Sequence, residues 1–388
     1  MWNAALNDAA YLAALVGDTQ REEQYRKEAA AVNEIINSEF WNEKGFFNYG
    51  KFKDGSYTKE CIVLTSVPVY MQVTDQQKSH QMVSDFASSR YSADWGVRMI
   101  DETNPIFNPR AYHYGSVWPL FTGWTALAEY QVGRYNQGFS HIMSNVLNYK
   151  GLSYGRMPEV LNGSTYQSSG VTLHQCWSET MVLQPIIEGM LGFVPDAVKG
   201  CITLAPRIPF DWDTLQASNL KVGDNSVSFD MKRDKGKITY CLSSDKPIKM
   251  NFIPAFAPGT IVNKVLVDGK ETSYSVLGNR EYVDLALETQ LGEATTIEVM
   301  YSGGAAVLPQ ISPLIYGNTS NGVRVMSQQE NEGVLETVIE GRAGTSSTIR
   351  LYLPDGYKKI DGIIVRYLEM NRISGHLVYP SKSPRNLM

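Results

Sequence analysis

The feature that most constrains this chain is a change of hydrophobic period near Pro195. Before it, apolar residues recur at steps of three and four; after it, short runs alternate apolar and polar. One element cannot serve both periods, so a helical region followed by a β region is expected. Residues 4–16 form an Ala/Leu-rich helix stopped by Gly17, and Asp18 and Thr19 offer capping oxygens to the next. In that second helix Tyr25, Ala29, Val32, Ile36 and Phe40 make one apolar stripe. Segments 60–73, 115–132 and 173–191 are apolar nearly all round and should be enclosed by other helices, although the first, with Pro68 and several β-branched residues, also suits a strand. Stretches 76–89 and 135–149 are more polar. Enclosed helices alternating with amphipathic ones are the pattern of two concentric helical layers, an α/α toroid.

Beyond Pro195, runs beginning at Cys201, Ser226, Lys237, Ile248, Thr296, Arg324 and Thr348 are separated by turns such as Asp234-Lys235-Gly236 and Asp268-Gly269. This is the texture of a β-sandwich. The chain of 388 residues is long enough for two or three domains. We expect a helical domain over 1–195 and a β-sandwich over 196–302. Ser302-Gly303-Gly304 then opens either a further β unit over 303–388 or an extension of the same sandwich.

A net charge of −5 without long runs of either sign provides no electrostatic footprint for nucleic acid or an anionic membrane surface. No stretch approaches the ~20 apolar residues of a membrane span. The first residues lack a basic region and carry Asp8 within the apolar stretch, unlike a signal peptide. The chain is expected in the cytoplasm if Met1 is its true start, and in the periplasm or outside the cell if a signal-bearing segment precedes it. Cys61, Cys176, Cys201 and Cys241 have no metal-ligand or CxxC spacing, and neither a metal nor a cofactor is expected. The 22 Tyr and 7 Trp suit carbohydrate binding by stacking, and equally suit a core.

The densest set of chemistry-bearing residues runs from Tyr91 to Glu179. It comprises Asp94-Trp95-Gly96-Val97-Arg98, Tyr112-His113-Tyr114-Gly115-Ser116-Val117-Trp118-Pro119, Pro158-Glu159-Val160-Leu161-Asn162-Gly163 and Gln175-Cys176-Trp177-Ser178-Glu179. Asp94 and Glu159 fall in loops, and Trp118 and Trp177 near helix starts, positions that converge on one mouth of a toroid. Carboxylates among aromatic, His and Arg side chains suit glycoside hydrolysis, in which one carboxyl donates a proton and another activates water or attacks. Each residue alone also fits a structural role: a loop Glu as a solvated charge, Trp at a helix start as core, His113 as a hydrogen-bonded structural histidine.

As an ordered set these motifs resemble the amylo-α-1,6-glucosidase (glycogen-debranching) family of (α/α)6-barrel glycoside hydrolases. Trp2-Asn3-Ala4-Ala5-Leu6, Phe40-Trp41 followed by Gly45, and Ala205-Pro206-Arg207-Ile208-Pro209 with Trp212 extend the resemblance over roughly residues 1–225. It implies a partial (α/α)6 toroid of about seven helices followed by the β-sandwich, and an inverting hydrolysis of a glycan in which Glu159 is the general base. The implied substrate contacts are Asp94, Trp95, Arg98, Tyr112, His113, Trp118, Trp177 and Glu179, the last also placed to hydrogen-bond Trp177 or His113. In the family the general acid precedes the segment matching Trp2 to Leu6, so the N-terminal half of the barrel is an expected partner. The alternatives are a non-catalytic glycan-binding remnant, or another (α/α)6 hydrolase of the α-L-rhamnosidase or α-mannosidase kind.

Overall fold

The computed structural model describes the chain except residues 153–154, 171, 279–280, 332–333, 343–346, 354–362, 370–371 and 378–388; for the strands between 363 and 377 only the backbone is described. It divides into two compact units. The first comprises Met1–Pro185 with Ile311–Gly322, the second Ile186–Gln310 with the residues from Val323 on. Residues 311–322 thus pack with the helical unit.

Seven α-helices are found among the described residues: α1 (Trp2–Leu15), α2 (Thr19–Glu39), α3 (Ser66–Tyr70), α4 (Gln76–Phe86), α5 (Pro119–Gln131), α6 (Tyr135–Gly151) and α7 (Cys176–Gln184). Gly17, at φ +76°, ends α1, and the Asp18 carboxylate caps α2 by accepting from the Arg21 N–H at 3.0 Å. The stripe predicted on α2 is only half-buried, Ala29 alone being fully covered. Segment 60–73 resolves as a 3-10 turn (Val63–Thr65) leading into α3. α5 is enclosed as expected, with ten of its residues buried from Pro119 to Tyr130. Pro119 occupies its first turn, where a missing N–H costs nothing.

Two expectations fail. Residues 135–149 are polar yet buried, because α6 spends its polar side chains on backbone acceptors. Asn145 donates to the carbonyls of Pro119 and Met181, both at 3.0 Å, and Asn148 to that of Trp95 at 2.7 Å. Conversely, α7 is not enclosed: Trp177 and Leu183 are 43% and 66% exposed, and α1 likewise shows Trp2, Leu12 and Leu15 to solvent. In the apolar run 173–191 the α-helix starts at Cys176 and stops at Gln184. Pro185, with no N–H to give, then leads into a π-turn over Pro185–Met190.

In the second unit, strands Phe193–Asp196, Cys201–Leu204, Ile248–Phe252, Val283–Leu291, Ala255–Phe256 and Ser275–Gly278 form one sheet. Thr214–Val222, Asn225–Asp234, Lys237–Ser244, Thr295–Gly303, Thr260–Val267 and Lys270–Glu271 form another. Alternate residues Val227, Phe229, Met231 and Ile238, Tyr240, Leu242 are buried, and Tyr240 meets Phe252 of the other sheet at 4.9 Å between ring centroids. The buried faces of the two sheets therefore pack against each other. Arg324–Asn331, Val334–Arg342, Arg372–Leu377 and Ile363–Glu369 make a separate four-stranded antiparallel sheet.

Candidate active site

Glu159 lies on an extended loop between α6 and α7. Single backbone bridges join Arg98 to Val117, Val117 to Leu161 and Leu161 to Ser168, so the loop is a middle strip of a small irregular ladder. Glu159 itself donates its N–H to the Thr172 carbonyl at 2.9 Å, and Val117 and Leu161 exchange N–H···O bonds of 2.9 and 2.8 Å. Two motif glycines permit this approach. A Cβ on Gly163 would overlap the Gly115 carbonyl oxygen, and Gly115, at φ +149°, is folded onto Asn108. Because the loops touch there, the Tyr112 hydroxyl reaches Glu159 and donates to Oε1 at 2.7 Å.

Glu159 is 5% exposed. Partial burial and the bond to Glu159 push the Tyr112 hydroxyl up to about 12, so it stays protonated and donating at any working pH. Tyr112 is held in turn by Trp118, whose indole N–H donates to the Tyr112 carbonyl at 2.8 Å and whose ring meets the phenol edge-on at 4.4 Å. His113 stacks on Trp118 at 5.8 Å and meets the Tyr112 phenol edge-on at 4.7 Å. Tyr112, His113 and Tyr114 are exposed, whereas Trp118, the N-cap of α5, is buried.

The remaining predicted contacts divide. Trp177 is exposed on the first turn of α7, available to a ring. Glu179 pairs with His174 Nε2 at 2.8 Å rather than with Trp177 or His113, the interaction that sequence reasoning missed. Trp95, Arg98 and Asp94 do not face an open cleft. Trp95 is 1% exposed and gives its indole N–H to the Asn162 carbonyl at 2.8 Å. Arg98, 3% exposed, donates to the Gly163 carbonyl at 2.6 Å and pairs with Glu102 at 3.1 Å. The Asp94 carboxylate accepts the backbone N–H groups of Asn321 and Gly322 at 2.9 and 3.1 Å. Trp95 and Arg98 are thus buried and bonded to backbone carbonyls, and Asp94, only partly buried, accepts backbone N–H groups. Trp118, also buried, lies against Tyr112.

Sequence reasoning also missed a buried relay. Ser92 Oγ lies 2.7 Å from His141 Nε2, and His141 Nδ1 lies 2.6 Å from Glu129 Oε2, all three being buried. Ser92 also donates to the Phe86 carbonyl at 2.7 Å. Its helical spacing, Glu129 on α5 and His141 on α6, carries no local motif. Among the described residues no three His, Cys, Asp or Glu lie together as a metal site, and no helix is long and apolar enough to cross a membrane.

Residues 1–178 match the family model described as the mannosylglycerate hydrolase MGH1-like glycoside hydrolase domain. Among solved structures, a sialidase aligns over 59% of this chain and 23% of its own, at 17% identity and a TM-score of 0.53. An α-L-rhamnosidase from Dictyoglumus thermophilum aligns over 76% of this chain and 30% of its own, at 14% identity and a TM-score of 0.50. This chain therefore spans less than a third of either protein, and at such identities the likeness is one of fold. No curated protein matches the sequence. Residues 1–178 are thus similar to the glycoside hydrolase domain that this family model describes, and the likeness to the two solved structures is one of fold.

Proposed function

We propose that this chain is the base-carrying part of an inverting glycoside hydrolase, with Glu159 as general base. The observation that carries the reading is the Glu159 carboxylate held at Oε1 by Tyr112, within residues that match a glycoside hydrolase family model. In the proposed step Glu159 takes a proton from water, the water oxygen bonds to the anomeric carbon, and the glycosidic C–O bond breaks as an acid protonates the leaving oxygen. Inversion requires the two carboxyls about 6.5–9.5 Å apart, leaving room for the water. The acid is assigned to a segment preceding Trp2, as the motif resemblance implies, and that segment completes the partial toroid. Tyr112, His113 and Trp177, exposed beside or near the loop, are the proposed sugar contacts.

The substrate class proposed on the motif resemblance is an α-glucoside of the amylo-α-1,6-glucosidase type. A second reading, a mannosyl glycoside such as mannosylglycerate, is favoured by the description of the family model. The non-catalytic alternative is a glycan-binding remnant using the same exposed rings. Hydrolysis of aryl α-glucoside, α-mannoside and α-L-rhamnoside by the purified chain, with and without the upstream segment, separates these. Turnover only when that segment is present supports the proposal, and glycan binding without turnover in either form favours the remnant.

A further inference from the structure

The second segment of the helical unit, residues 311–322, is fastened along the loop that carries Glu159. Tyr166 donates its N–H to the Asn318 carbonyl at 2.8 Å and accepts from the Gly317 N–H at 2.8 Å. Thr165 and Thr319 form a backbone bridge, and Leu314 packs against the cluster of Ala93, Trp95, Val117, Leu161 and Tyr166. The far end is anchored on Asp94. Its carboxylate accepts the N–H groups of Asn321 and Gly322, and its own N–H donates to Ser320 Oγ at 3.1 Å. Asp94 sits at the turn between the short strands Ser92–Ala93 and Gly96–Val97, directly before Trp95, whose indole holds Asn162. The strap and the Trp95 indole thus grip residues 162–166 from two sides, only a few residues beyond Glu159.

We infer that residues 311–322 are a positioning strap, latched by Asp94, that fixes the Glu159 loop at hydrogen-bonding distance from Tyr112. The inference rests on the proposed base role only for its consequence in catalysis; the placement of the loop is a separate property. A carboxylate receiving two backbone N–H groups forms a stronger latch than a neutral acceptor, because both bonds are charge-assisted. The neighbours of Asp94, Ala93 and Trp95, stay packed in the apolar cluster whether or not the carboxylate is present, so its loss should free the strap without dissolving the helical core. Asp94 is therefore a positioning residue, acting through the loop and not on a sugar.

The test reads the position of Glu159 without turnover. In the full chain labelled with [13Cζ]tyrosine, the Tyr112 resonance is identified by its loss in Tyr112→Phe, and Glu159→Ala marks its shift when the acceptor is gone. Asp94→Ala should move the Tyr112 resonance toward the Glu159→Ala position. It should also speed exchange of the Leu161, Asn162 and Tyr166 amides by about tenfold while those of α5 stay protected. Asp94→Asn, which keeps one acceptor oxygen, should fall between. If Asp94→Ala fails to fold by circular dichroism, Gly322→Pro, which deletes one of the latched N–H groups, should give the same displacement. An unmoved Tyr112 resonance in a variant whose Asn321 and Gly322 amides exchange freely would overturn the strap. Loss of the base role alone would leave this result intact.

Discussion

The Tyr112 hydroxyl donates to Glu159 Oε1 across 2.7 Å, joining two loops 47 residues apart in sequence. A hydrogen bond to a charged group contributes about 1.5–3 kcal/mol, so Tyr112→Phe should lower kcat of the active enzyme by roughly ten- to a hundredfold. KM should change much less, because the phenylalanine ring keeps the face that Tyr112 offers to a sugar. Steady-state kinetics on a cleaved aryl glycoside checks this.

Tyrosine burial sets a dependence on alkaline pH. Burial pushes Tyr166 up to about 12, whereas tyrosines of the unfolded chain ionise near their usual ~10. Between those values the folded protein holds protons that the unfolded chain releases. Stability is therefore complete below about pH 10 and declines as pH rises toward 12. The Tyr166 hydroxyl has no partner among the described residues, so Tyr166→Phe should leave the neutral-pH Tm unchanged within a few degrees and flatten the alkaline decline. Thermal melts from pH 8 to 11.5 test this.

The glycine contact between the two site loops leaves no room for a methyl group. Gly163→Ala would press Cβ into the Gly115 carbonyl, and overpacking of this kind costs about 1–3 kcal/mol. Urea denaturation should show that loss, and the Tyr112–Glu159 bond should be disturbed with it. Gly200→Ala is not an equivalent control despite its open surroundings, because its φ of +62° is itself strained for alanine; Gly278, open and without a positive φ, is the appropriate one.

The buried relay of Ser92, His141 and Glu129 is distinct from the Glu159 site. His141→Ala strips Glu129 of a 2.6 Å partner inside the core and should cost about 3 kcal/mol or more. Denaturant curves read the loss. Glycan affinity of the protein that remains folded should be unchanged.

Much of this was legible in sequence where one local rule decides the outcome. Asp18 caps α2, Pro119 opens α5 after an extended Trp118, and the alternating runs beyond Pro195 become strands. The Tyr112–Glu159 pairing was implied only as membership of one site, since nothing in the spacing fixes a bond across 47 residues. The partners of Trp95, Arg98 and Asp94 were not legible, because aromatic and charged loop residues look the same whether they meet a sugar or the backbone. Nor was the strap: its partners at Asp94 and Tyr166 lie more than a hundred residues away. α6 misled for a related reason, as Asn145, Asn148 and His141 are polar in composition yet satisfied inside the core.

The central claim is that Glu159 is the base, and Glu159→Gln in a form of the protein that cleaves an aryl glycoside tests it most directly. The exchange keeps size and an acceptor for Tyr112 but removes the basic carboxylate. Turnover should fall by about a thousandfold or more, with glycan affinity within a few-fold of the unaltered protein. Turnover undiminished in Glu159→Gln would contradict the account.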